Sequence, residues 1–161
     1  MAEKDFAVGI AEYKITFSPD RLLAYGLGSC VGVTVYDRKK KIGGLAHVML
    51  PSSRLHSSNP ILGKYADTAI NALLTEMTER GCNLQELEAK LIGGANMFEA
   101  IVHQPVPVGL RNVAASREKL MEMGVPVVAE DVGGSQGRTI IFSLIDGRVE
   151  IRRLTQLSRW I

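Results

Sequence analysis

Cysteine is nearly absent: Cys30 and Cys82 are the only two in 161 residues. Two thiols cannot build the disulfide framework of a small secreted domain, so both are expected free, in a reducing compartment. Histidine is almost as scarce. His47, His56 and His103 lie far apart and no Cys-x-x-Cys occurs, which removes the spacing of the common zinc sites. Charge of one sign is lacking too, with 19 basic against 17 acidic side chains and a net charge of +2. Nucleic-acid binders carry a basic stripe with interleaved aromatics. The only basic run here, residues 38–41, falls between two strand patterns, where a solvated hairpin turn is expected. No apolar run reaches 18 residues, and the charged first five residues lead into no apolar core of a signal peptide. A soluble, cytoplasmic chain without membrane insertion is therefore expected.

Nucleotide-binding glycine motifs are missing as well. Gly26 and Gly28 start a dinucleotide-like pattern, but the third glycine is absent and the following residues read as a strand instead of a helix. There is no Gly-x-x-x-x-Gly-Lys-Ser/Thr phosphate loop, and no nucleophile elbow is expected.

What remains is ordinary globular composition, 46% apolar and 22% charged, which fits one domain over residues 1–161. Residues 6–16 read as one strand, broken by Ser18-Pro19-Asp20. A short apolar run, residues 22–25, enters the glycine turn. Residues 30–36 are β-branched with period two, and residues 41–50 form a second arm after a turn at 37–40. Residues 51–63 are rich in Ser, Asn and Pro and read as a loop. Tyr65, Ala69, Leu73 and Met77 make a helical stripe that Gly81 ends.

A strand at 88–92 follows, then a helix near 111–123 closed by Gly124, with Val113, Leu120 and Met121 on its buried face. Residues 126–129 read as a strand and 130–137 as a glycine-rich loop. Two last strands, 139–145 and 148–154, meet at the hairpin signal Asp146-Gly147. Strands first, then helices between further strands, predict an α/β sandwich of mixed sheet, not a strict βαβ alternation.

Within this frame one pair carries chemistry. Cys30 ends the turn Gly26-Leu27-Gly28-Ser29-Cys30, and His47 lies in the next strand pattern. Cysteine with histidine is the smallest pair that supplies a thiolate nucleophile and a general acid. Glycines let a substrate approach backbone N–H groups, so Gly28 and Ser29 are candidates for an oxyanion or substrate loop. On residue types alone, a buried structural thiol and a core imidazole remain the bland alternative. Cys82, after a helix-ending glycine and with no histidine nearby, fits that alternative better. His56 and His103 fall in loops and are expected to be solvated.

The surrounding motifs are more specific. Residues 26–33 with Cys30, residues 42–51 with His47, and Lys64-Tyr65-Ala66-Asp67-Thr68 closely resemble the CheD family. So do residues 90–98, Gly109-Leu110-Arg111-Asn112-Val113 and Glu130-Asp131-Val132-Gly133-Gly134. The resemblance implies a deamidase that hydrolyses glutamine side chains on the cytoplasmic helices of methyl-accepting chemotaxis receptors. It also implies a three-layer α/β sandwich with mixed sheets, like the cytotoxic necrotizing factor deamidase domain, and the CheC phosphatase as a partner. By position it makes Cys30 the nucleophile and His47 its base and acid, with no metal or organic cofactor. In one place the chain departs from the family. The family's threonine six residues before the cysteine, which orients the histidine, is Ala24 here. That methyl cannot accept an imidazole N–H, and it favours a rival reading as a CheD-like interaction module with weak or no catalysis. Lys64 to Thr68 are expected to open the first helix, Gly93 and Gly94 to allow a tight strand exit, and Arg111 and Asn112 to cap a helix or meet a partner. Met97 and Phe98 are expected in core packing or on a partner surface.

Overall fold

A computed structural model describes residues 1–54, 58–97 and 106–161. The expectations for His56, Phe98 and His103 fall outside these residues. Among the described residues the chain forms two mixed five-stranded sheets and two α-helices, the α/β class expected. One sheet has the order β1 (Asp5–Ala7), β3 (Arg21–Leu27), β8 (Arg138–Ser143), β9 (Val149–Arg152), β10 (Arg159–Trp160). The other runs β2 (Tyr13–Phe17), β5 (Ile42–Val48), β4 (Val31–Asp37), β6 (Leu87–Gly93), β7 (Val127–Val132). Helices α1 (Ala66–Glu79) and α2 (Val108–Glu122) pack on the outer face of the second sheet.

The second sheet is buried on both sides, and β4 shows why. Val31, Val33 and Val35 enter the core shared with the helices, whereas Tyr36 joins the core between the sheets. Every residue of β4 is buried. Period two therefore sorts one strand's side chains between two cores. In α1, Ala66, Ala69, Ile70, Leu73, Leu74 and Met77 form the buried stripe, and Gly81 follows the C-cap at φ +91°. The basic run 38–41 is the exposed β4–β5 turn. Asp37 Oδ1 holds that turn by accepting the Lys39 and Lys40 N–H groups. Asp67, in the first turn of α1, accepts from the N–H and hydroxyl of Ser53 and so ties down the start of the loop that precedes this helix.

Several expectations are corrected. Residues 6–16 are two strands in different sheets. β1 pairs with β3, β2 pairs with β5, and a turn at Ile10-Ala11 carries the chain across, with Ala11 at φ +65°. The run at 22–25 is part of a strand that continues through Gly26 to Leu27, with a register shift against β8 between Ala24 and Leu27. α2 starts at Val108, earlier than expected. Met121 is 73% exposed, because Asn112, Val113, Ser116 and Leu120 hold the buried stripe and Met121 lies about 100° further round. Glu130, Asp131 and Val132 belong to β7 and not to a loop. The short strand β10 had no signal of its own in residues 159–160. The run Gly133 to Gly137 spells Gly-x-Ser-x-Gly, a pattern not anticipated above, but it connects two strands. A nucleophile elbow turns from strand into helix.

Candidate active site

Cys30 lies in a bend directly before β4, and its side chain packs partly against the core between the sheets. His47 is the sixth residue of β5, and Leu45, two residues earlier, faces the same core. Both groups therefore stand on the face that looks toward the first sheet. Gly32 pairs directly with His47 in the antiparallel ladder, which places Cys30 diagonally across from the histidine. Such diagonal neighbours lie within reach of long or aromatic side chains. Cys30 is half-buried, whereas His47 is only 2% exposed.

The histidine is fixed on three sides by the segment between β1 and β2. Its N–H donates to the Glu12 carbonyl, and its own carbonyl accepts from the Ala11 N–H. Its Nδ1 is 3.0 Å from the Val8 carbonyl oxygen. A carbonyl oxygen can only accept, so the proton of neutral His47 resides on Nδ1. Nε2 is then a lone-pair acceptor, and it is buried with no hydrogen-bond partner among the described residues. An unsatisfied buried nitrogen of this kind asks for an explanation, and a base awaiting a proton is one. The Val8 carbonyl thus holds the ring, whereas Ala24 is fully buried in the core between the sheets.

The cysteine turn is held by its carbonyls. Gly28 O accepts from the Ala95 N–H at 2.8 Å, and Cys30 O accepts from the Gly94 N–H at 2.9 Å. Ser29 O accepts from Asn112 Nδ2 at 2.9 Å. With all three carbonyls engaged, no main-chain acceptor among the described residues takes the N–H of Ser29 or Cys30. Gly93 makes the close packing here feasible: it sits at φ +112°, and a Cβ on it would fall 2.4 Å from the Cys30 oxygen. The turn is bordered by Met97, whose side chain lies over Gly28, and by the glycine loop, where the Gly133 N–H donates to Gly93 O.

Burial pushes the Cys30 thiol above its ordinary value. Burial also lowers the His47 imidazole, opposed by the Val8 hydrogen bond and by the Glu12 carboxylate. Both directions favour a neutral thiol and a neutral imidazole at rest, not a preformed thiolate–imidazolium pair. Cys82 is a different case. It is buried, and desolvation with the neighbouring Asp37 carboxylate pushes it up to about 11, which leaves it an inert core thiol. Among the described residues no group of three or more His, Cys, Asp or Glu side chains could hold a metal. No helix among them is long and apolar enough to cross a membrane.

Sequence reasoning missed the Val8 carbonyl and left Asn112 undecided. No side-chain signal marks the first, since any residue carries that oxygen. It also missed Asp131, which accepts from Arg138, Arg153 and Arg159 behind the glycine loop.

Residues 49–153 match the family described as CheD chemotactic sensory transduction. A protein of Caldanaerobacter subterraneus subsp. tengcongensis is 45% identical over 162 residues, covering all of both chains. One of Clostridium acetobutylicum is 43% identical over 92% of this chain and 90% of its own length. One of Pyrococcus horikoshii is 43% identical over 95% of this chain and 94% of its own. Each of the three is named a probable chemoreceptor glutamine deamidase CheD. A solved structure, the Bacillus licheniformis hypothetical protein YfiH, overlays 74% of this chain and 49% of its own with a TM-score of 0.47 and 16% identity. The family match extends over more than half of the residues, and the likeness to the Caldanaerobacter protein covers the whole chain: the chain belongs to the CheD family.

Proposed function

We propose that residues 1–161 form one catalytic domain that deamidates glutamine side chains of chemotaxis receptors, with Cys30 as nucleophile and His47 as base and acid. The observation that carries this reading is the His47 ring, fixed by Val8, with an Nε2 that has no hydrogen-bond partner among the described residues, on the face that Cys30 shares. The names borne by the three relatives supply the substrate class.

The steps balance as follows. Nε2 takes the thiol proton as sulfur attacks the amide carbon, and the oxyanion turns toward the N–H groups of Ser29 and Cys30, which no main-chain acceptor among the described residues takes. Collapse of the tetrahedral centre expels ammonia, which receives its proton from Nε2–H. His47 then deprotonates water, hydroxide attacks the thioester, and the thiolate leaves and regains the proton. Glutamine and water become glutamate and ammonium. No metal or organic cofactor enters. The module reading rested on Ala24, and with Val8 orienting the imidazole that reason lapses. Docking of a CheC phosphatase is part of this proposal, on the family resemblance.

The test measures ammonia release from a glutamine-bearing receptor fragment, with circular dichroism to verify the fold. Cys30→Ala is expected to abolish release and keep the fold. Equal release by variant and parent would sink the cysteine mechanism.

A further inference from the structure

Asn112 is wholly buried on α2, yet its side chain serves neither its own helix nor the core it sits in. Its Nδ2 donates to Ser29 O at 2.9 Å and to Met49 O at 3.0 Å. Both acceptors are carbonyls, so the amide nitrogen must face them. The location matters. The β4–β5 ladder closes with the pair Val31 and Val48. Beyond it one strand runs back into the cysteine turn and the other runs past His47 into the loop. Asn112 thus supplies a rung where the ladder has ended, one residue before Cys30 and two residues after His47. α2 can place an amide there because it meets the strand exit without side chains between: a Cβ on Gly109 would lie 2.6 Å from the carbonyl oxygens of Gly94 and Ala95.

The amide's other end is unrewarded. Asn112 Oδ1 is buried with no partner among the described residues. Leaving an acceptor dry is unfavourable, and an apolar residue would fill this core without that penalty. We propose that Asn112 is a positioning residue, which sets the spread between Cys30 and His47 by bridging the two chain segments that carry them. This rests on the reading of Cys30 and His47 as the reacting pair. Two donors on one planar nitrogen are what the bridge requires. Aspartate, of the same shape, would turn an oxygen toward two carbonyls, and leucine would offer them nothing.

The experiment compares Asn112→Leu and Asn112→Asp with the parent, and uses Leu120→Val, on the same buried face of α2 but remote from the turn, as a packing control. Ammonia release is expected to show kcat reduced about 10- to 100-fold with KM nearly unchanged, as for a small misplacement of reacting groups. Leu120→Val is expected to keep kcat even where its Tm falls. A second readout needs no substrate: the pH dependence of Cys30 alkylation by iodoacetamide, resolved from Cys82 by peptide mass spectrometry. Parent protein is expected to show two inflections, from His47 and from the thiol, and the Asn112 variants only that of the thiol. Unchanged kcat in Asn112→Leu, an equal kcat loss in Leu120→Val, or two inflections in every variant would overturn the assignment. A parent with no His47 inflection would overturn it too, since there would be no coupling to set. If ammonia release survives Cys30→Ala, the cysteine mechanism fails, while the alkylation profiles still decide the role of Asn112.

Discussion

Burial moves the titrations of the two proposed reacting groups apart: it raises the Cys30 thiol and lowers the His47 imidazole. In the proposed mechanism the working state holds one proton between them, with sulfur and Nε2 exchanging it. Below the His47 pKa the ring is protonated and cannot take the thiol proton, so rate is lost as pH falls through that value. Above the Cys30 pKa the shared proton is gone and none is left for departing ammonia, so rate is lost as pH rises through it. The kcat/KM profile is therefore expected to be a broad bell, with its acid limb below the ordinary imidazole value of 6.5 and its alkaline limb above 9.0. An acid midpoint above 6.5 would contradict a neutral resting pair. The same residues make a second prediction. Restoring the family hydroxyl with Ala24→Thr is expected to give no gain in ammonia release, because Val8 already occupies Nδ1. It adds two heavy atoms at a fully buried position, and overpacking of that kind costs about 1–3 kcal/mol, seen as a lower Tm. A faster Ala24→Thr enzyme would show that the Val8 contact orients the ring poorly. Cys30 and His47 were legible as candidates because thiol and imidazole side chains are the groups that the proposed chemistry needs. Their supports were not, since Val8 acts through a main-chain oxygen and Asn112 through contacts between residues far apart in sequence.

At the scale of elements, what was readable was what local physics decides. The valines of β4, the stripe of α1 and the Asp146-Gly147 hairpin each follow from periodicity or turn chemistry. What was not readable depended on partners elsewhere. Residues 6–16 have strand character throughout, and only pairing with β3 at one end and β5 at the other divides them. Asp131 looked like a loop residue until Arg138, Arg153 and Arg159 converged on it. The exit of β6 supports a prediction at this scale. Gly93→Ala would hold a non-glycine residue at φ +112° with its methyl against the Cys30 oxygen. Strain of this type costs about 1–3 kcal/mol before the contact is counted. The variant is expected to lose several degrees of Tm, at roughly 2–4 °C per kcal/mol for a chain this long. It should also lose ammonia release, since the Cys30 carbonyl must move. A Tm equal to that of the parent would mean that the turn relaxes without strain.

Across the whole molecule, the segment that crosses from one sheet to the other also holds the His47 ring. Val8 donates its N–H to Leu23 in the first sheet and presents its carbonyl to His47 in the second. The site is therefore assembled only when the two sheets are docked. This has a consequence for heredity. An orienting threonine can be lost by one codon change, but an orienting peptide carbonyl is encoded by no particular residue. Substitutions at Val8 that preserve the chain's path leave that oxygen in place. A lineage with this arrangement is free to let position 24 drift to alanine, and only an insertion or deletion that reroutes the crossing would take the support away.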